Sequence, residues 1–272
     1  MQKFHLHLVS DATGETVRHV ARACLVQFEN VETEEHMWTM VRTEQHIHNL
    51  IKAVKSIGGF VIYTLVNKEI CKVLEEGCAN LNIACISLLD PITAALGAVL
   101  GTGHGAQPGR QHVMDAEYFS RIEAMQFALA HDDGQSAWDL EEADVILLGV
   151  SRTSKTPTSI YLANRGLKTA NIPIVPGCPI PEELFEVERP LVVGLTKDPK
   201  RLIEIRRQRL KLIDQDENTD YVNLEMVSKE INDARRLYSK QNWPVINVSR
   251  KSIEETAATI IQLHTQRTEI HD

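Results

Sequence analysis

Short runs of β-branched and aliphatic residues alternate with longer segments of helical period along this chain, and no other feature restricts its fold so strongly. That alternation gives parallel sheets with helices packed on their faces, so the fold class is α/β. In the first part, strands are expected at "FHLHLVS" (4–10), "MWTMVRT" (37–43), "FVIYTLV" (60–66) and "IACISLLD" (83–90), with helical stretches near 14–28, 44–57 and 67–80. The second part repeats the pattern. Strands are expected at 144–150, 172–176, 191–196 and 245–249, and helices near 116–131, 155–164 and 199–213, with two more towards the carboxyl end. Ser252-Ile-Glu-Glu255 reads as a capping box opening the last of them.

Between the two parts, "GTGHGAQPGRQHVMD" (101–115) holds four glycines and a proline with few apolar residues, which marks a loop or linker. The expected domains are therefore 1–105 and 106–272. Ample length for a core comes with 43% hydrophobic and 24% charged residues, an ordinary globular balance. A net charge of −8 gives no electrostatic case for nucleic acid. Five cysteines without a Cys-x-x-Cys pair argue against a disulfide framework or a zinc knuckle. The polar start and the absence of a long apolar run point to a cytoplasmic protein away from membranes, and base rates for enzymes of this size favour a homodimer.

The segment "GVSRTSKTPTSIYLANRG" (149–166) comes close to a phosphate-binding loop. Gly149, Lys155 and Thr156 meet the Walker A frame, and Ser154 stands where its second glycine belongs. A strand that stops, a tight loop and a helix amino terminus are what an anion cradle needs, and "DVILLG" before the loop with Pro157 in the next first turn supplies them. Lys155 would reach terminal phosphates, Arg152 would add a planar donor fork, and the Thr156 hydroxyl would ligate magnesium. A Cβ at position 154 restricts positive φ, which makes the cradle a variant one. The competing reading is a hydroxyl-capped turn with incidental positive charge.

Other polar clusters carry weaker signals. Ser10, Asp11, Thr13 and Gly14 follow a strand, where ligands bind in α/β sheets, yet Asp11 or Thr13 could equally cap the next helix. Asp132 and Asp133 end a helix, where the macrodipole disfavours negative charge and something must offset it. Asp90 has the look of a Walker B aspartate, weakened by its distance from the loop. Lys200, Arg201, Arg206, Arg207, Arg209 and Lys211 concentrate on one helix that could close over phosphates or could present a solvated face. His5 and His7 share a strand face and His46 and His48 lie two apart, but no carboxylate or cysteine is placed to complete a metal set, so they read as satisfied or surface histidines.

Taken in order, "SDATGET", "YFSRIEAMQFALAHDDG", "LLGVSRTSKTPTSIYLANRGLKTANIPIVP" and "LVVGLTKDPKRLIEIRRQRL" resemble the pyruvate, phosphate dikinase regulatory protein family, which includes regulators of phosphoenolpyruvate synthase. The resemblance implies a bifunctional enzyme. It would phosphorylate a threonine of its dikinase with ADP as donor, releasing AMP, and would remove the mark with inorganic phosphate, yielding pyrophosphate. It implies ADP binding by Gly149, Val150, Ser151, Arg152, Thr153, Ser154, Lys155 and Thr156, with Mg2+ on Thr156. Cations at Lys155, Arg152 and the 201–209 arginines would bring two anions together, and Asp132, Asp133 or, in reserve, Asp11 would act as general base. The partner would be pyruvate, phosphate dikinase or else phosphoenolpyruvate synthase. A kinase for a small metabolite and a non-catalytic ADP-sensing switch are the alternatives to that reading.

Overall fold

The computed structural model describes residues 2–101, 116–216 and 219–271. The chain divides into two compact units, Met1–Val113 and Met114–Asp272. The linker expected over 101–115, and with it the expected boundary after residue 105, lies almost wholly outside the described residues.

In the first unit, strands β1 (Gln2–Ser10), β2 (Val31–Trp38), β3 (Phe60–Thr64) and β4 (Cys85–Ser87) form one sheet in the order β2-β1-β3-β4. All three pairings are parallel. Helix α1 (Glu15–Leu25) covers one face, burying Val17 and Ala21 against Leu6 and Leu8. Helices α2 (Glu44–Ile57) and α3 (Lys68–Asn80) cover the other, where Val9, Val61 and Tyr63 meet Ile47, Leu50, Val54 and Leu74. Strand alternation thus sends odd and even residues of β1 into different cores.

Two expectations need correction here. β2 occupies Val31–Trp38 and not 37–43. It is an edge strand whose polar alternation hides it, while Met40 turns at φ 54° and Val41 N–H donates to the Ser10 carbonyl, which carries the chain across the end of β1. The strand expected over 83–90 covers only Cys85–Ser87, and Asp90 opens a helix, α4 (Asp90–Leu100), with Pro91 in its first turn and Gly101 left-handed at its end. Its sequence, DPITAALGAVL, lacks the polar stripe that would reveal a helical period.

The second unit repeats the strand order of the first. Strands β5 (Val145–Val150), β6 (Thr169–Ile174), β7 (Leu191–Thr196) and β8 (Val245–Asn247) lie in the order β6-β5-β7-β8, again parallel throughout. Central β5 and β7 are buried on both faces, which is why they read as unbroken apolar runs. Helices α7 (Pro199–Leu212) and α8 (Leu224–Lys240) pack on Ile146, Leu148 and Val150, and α6 (Lys155–Ala163) and α9 (Ile253–His271) pack on Val145, Leu147 and Val193. Helix α5 (Ala116–Ala130) contributes Ala124 and Ala128, packed against Ala163 of α6. The capping box of α9 forms: Ser252 N–H donates to Glu255 at 2.8 Å and Glu255 N–H to the Ser252 hydroxyl at 3.1 Å.

After β5 the chain moves to one side of it for β6, then crosses to the other side for β7. That reversal opens a crevice at the carboxyl ends of β5 and β7, where open α/β sheets bind ligands.

Candidate active site

The β5–α6 connection fills that crevice. Val150 ends the strand, residues 151–154 form the loop, and Lys155 begins the helix. Arg152 and Ser154 take left-handed backbone, at φ 72° and 66°. Left-handed residues at alternate positions make backbone N–H groups converge into an anion-binding concavity. Ser154 therefore does what the glycine of a standard loop would do, and its hydroxyl caps nothing. Gly149 is required by close packing: a Cβ there would lie 2.5 Å from Thr153 Oγ1 and 3.0 Å from the Leu195 carbonyl.

Three successive carbonyls of this connection accept hydrogen bonds from cations. Lys155 Nζ donates to Val150 O at 3.3 Å, Arg206 Nη2 to Ser151 O at 3.2 Å, and Lys197 Nζ to Arg152 O at 3.2 Å. Buried Thr153 adds its hydroxyl to Val150 O at 2.9 Å. Because a peptide N–H points opposite to the carbonyl of the same unit, fixing these carbonyls fixes the amides that follow them.

Lys155 is buried, and desolvation pulls its ammonium down to about 8 despite the opposing pull of Asp133, Asp132 and Glu230. Burial also lowers Lys197, with a smaller push from Arg201. Both lysines, exposed Arg152, Thr156 and Asp133 line an open cavity of about 580 Å3.

Asp132 lies beside the first turn of α6. Its Oδ1 accepts from Thr156 Oγ1 at 3.0 Å and, by a shorter contact, from Asn171 Nδ2, which also reaches Thr156 Oγ1 at 2.9 Å. The charge that sits badly at the end of α5 is thus placed at the amino end of α6 and near Lys155, which offsets it. Buried His131 holds this turn in place, stacking on Phe127 and meeting Asp139 at 2.6 Å. Asp133, left-handed at φ 52°, is the exposed member of the pair.

The expected residues 149–156, Asp132 and Asp133 come together here. Others do not. Arg206 is buried in a bidentate pair with Glu230, at 2.9 and 3.0 Å, and stacks on Tyr221, so it braces the loop from behind. Arg201 pairs with Glu204 on the surface, and among the described residues none of the 201–209 arginines lines the cavity. Asp11 belongs to the first unit, where its carboxylate accepts from Val66 N–H at 2.9 Å and burial raises its pKa. Neither it nor Thr13 caps α1; Gly14 does, at φ 84°. Asp90 also lies in the first unit, as the first residue of α4. Sequence reasoning missed Lys197 and Asn171. The signal available for Lys197 was its place directly after a buried strand, the position that Ser151 has after β5.

Fold and site together define a class: an α/β protein with a cationic cavity at the carboxyl ends of a parallel sheet, facing a helix amino terminus. The pattern of the kinase/pyrophosphorylase family matches residues 6–261. A relative from Paramagnetospirillum magneticum, provisionally named a pyruvate, phosphate dikinase regulatory protein, is 56% identical over 269 residues, covering 99% of this chain and 86% of its own. Relatives of the same provisional name from Rhodospirillum rubrum and Erythrobacter litoralis are 53% and 51% identical, over 96% and 98% of this chain and 95% and 96% of theirs. The chain belongs to the kinase/pyrophosphorylase family, and is by that membership an enzyme of phosphoryl transfer. No helix among the described residues is long and apolar enough to cross a membrane.

Proposed function

We propose that this enzyme regulates pyruvate, phosphate dikinase by moving a phosphoryl group on and off one of its threonines at the β5–α6 loop. In the forward direction the threonine Oγ attacks the β-phosphorus of ADP. The new O–P bond forms as the bond to the α-phosphate oxygen breaks, and AMP leaves. In the reverse direction an oxygen of inorganic phosphate attacks the phosphorus of the phosphothreonine; the new P–O–P bond forms pyrophosphate as the P–Oγ bond breaks, and the threonine oxygen takes up a proton. The partner choice rests on the names of the relatives, with phosphoenolpyruvate synthase as the second candidate, and a cytoplasmic setting follows from it.

The observation that carries this reading is the buried Lys155 ammonium beside a loop of left-handed residues, with Lys197 on the neighbouring strand end. Backbone amides of residues 151–156 would hold the diphosphate, and Arg152 and the two lysines would offset the charge of two approaching anions. Thr156 Oγ1, 3.0 Å from Asp132 Oδ1, suits a magnesium ion, which when bound would neutralise phosphate oxygens. Asp132 is engaged with Thr156 and Asn171, so Asp133, which faces the cavity, is the better placed base for the threonine proton.

The test incubates the protein with ADP and each purified partner, charged to its phosphohistidine form by phosphoenolpyruvate. Expected are AMP release and a single phosphothreonine by mass spectrometry with pyruvate, phosphate dikinase, both reduced at least about 100-fold in Lys155→Ala. Product with the synthase alone would move the reading to that partner, and no AMP with either would overturn it.

A further inference from the structure

The first unit holds a cluster that the phosphoryl chemistry does not use. Parallel pairing of β1 with β2 sets His5 opposite Glu34 and His7 opposite His36, so four polar side chains project from one sheet face near its edge. His5 Nδ1 lies 3.1 Å from His36 Nε2 and 3.8 Å from a Glu34 carboxylate oxygen, and one ligand atom from each of the three residues fits within 4.8 Å. A tetrahedral zinc ion with nitrogen ligands about 2.05 Å away separates those ligands by roughly 3.3 Å. The His5–His36 separation is close to that value, and the Glu34 carboxylate at 3.8 Å is within a small side-chain adjustment of it.

The surroundings fix the ligands as a metal site requires. Trp38 Nε1–H donates to His7 Nδ1 at 3.3 Å, which makes His7 the tautomer whose Nε2–H donates to the Gly58 carbonyl at 2.9 Å. With both nitrogens engaged, His7 is a support and not a ligand. Its ring stacks on His36 at 4.8 Å and 21°, holding that imidazole in orientation. Such outer partners are what tune bound metals. Glu34, 52% exposed at its side chain, leaves the site open to an incoming ion. The expectation that no carboxylate is placed beside these histidines is corrected: Glu34 comes from the neighbouring strand, which sequence spacing does not show.

We propose that His5 Nδ1, His36 Nε2 and the Glu34 carboxylate bind a divalent transition ion, zinc by the softness of the donors, with water in the fourth position. Two imidazoles and one carboxylate give a donor set that magnesium and calcium, which prefer all-oxygen shells, do not favour. The ion would pin edge strand β2 to β1.

The experiment uses the chelator-stripped full chain, titrated with zinc in competition with a chromophoric chelator. One site per chain is expected, weakened by more than about tenfold in Glu34→Gln and in His36→Asn and unchanged in His46→Asn. Glu34→Gln, at an exposed position, guards against loss through misfolding, and its far-ultraviolet circular dichroism should match the parent. Cobalt in place of zinc should give the intense visible bands of four-coordinate nitrogen and oxygen ligation. Zinc uptake that Glu34→Gln and His36→Asn leave intact, or a cobalt spectrum that stays that of the hydrated ion, would overturn the proposal.

Discussion

Lys155 has only 6% of its surface exposed, and that burial sets a pH signature. With its ammonium pulled down to about 8, the free protein holds nearly full charge at pH 7 and half of it near pH 8, so ADP affinity should start to fall between those values. Above pH 8 binding must take up a proton, so ADP affinity should fall by up to about tenfold per unit. Folding runs the opposite way. Below pH 8 both folded and unfolded chains carry the proton; between about 8 and the ordinary lysine value of 10.5 the unfolded chain holds more, so this residue makes the ligand-free protein more stable as pH rises. Calorimetric titration of ADP from pH 7 to 9.5 checks the first effect, and Lys155→Met should lose most of the slope and about 1.5–3 kcal/mol of binding. At this scale the sequence was informative where grammar is local: Gly149, Lys155 and Thr156 lie within one stretch of eight consecutive residues. It was silent on Lys197, whose role depends on β7 lying beside β5.

Among the elements, α7 shows how a basic run misleads. Its arginines look like a phosphate clamp, yet the helix turns Arg206 inward to Glu230 of α8, leaving Arg201, Arg207 and Arg209 outside. Helical period predicts which residues share a face, but not which charged residue faces inward, because the partner carboxylate arrives on another helix. Removing one member of a buried pair strands the other, so Arg206→Met should destabilise the fold by about 3–5 kcal/mol in urea denaturation. The Arg206→Met/Glu230→Leu double variant should recover most of that stability. Its loop would still lack the donor to the Ser151 carbonyl, so ADP binding should stay weaker than in the parent. Elements buried on both faces, β5 and β7, were legible as apolar runs, whereas β2 and α4 were not, one being a polar edge and the other apolar without a stripe.

For the whole molecule, the two units share one wiring, β2-β1-β3-β4 and β6-β5-β7-β8, which no periodic repeat in the sequence announces. At the end of β1 that wiring presents Asp11, tied to Val66; past the ends of β5 and β7 it presents Lys155 and Lys197. The same topology therefore carries different side chains at equivalent ends, and the two proposed ligands belong to different units. Hydrogen exchange of the full chain should show ADP slowing residues 151–156 and zinc slowing β1 and β2, each protection falling in the unit that carries its ligands. Protection by zinc at 151–156 would contradict that division. The cations already seated on the carbonyls of Val150, Ser151 and Arg152 have one more consequence. The loop's dipoles are oriented when the chain folds, so an arriving anion meets a finished electric field, and no turnover has to reorganise it.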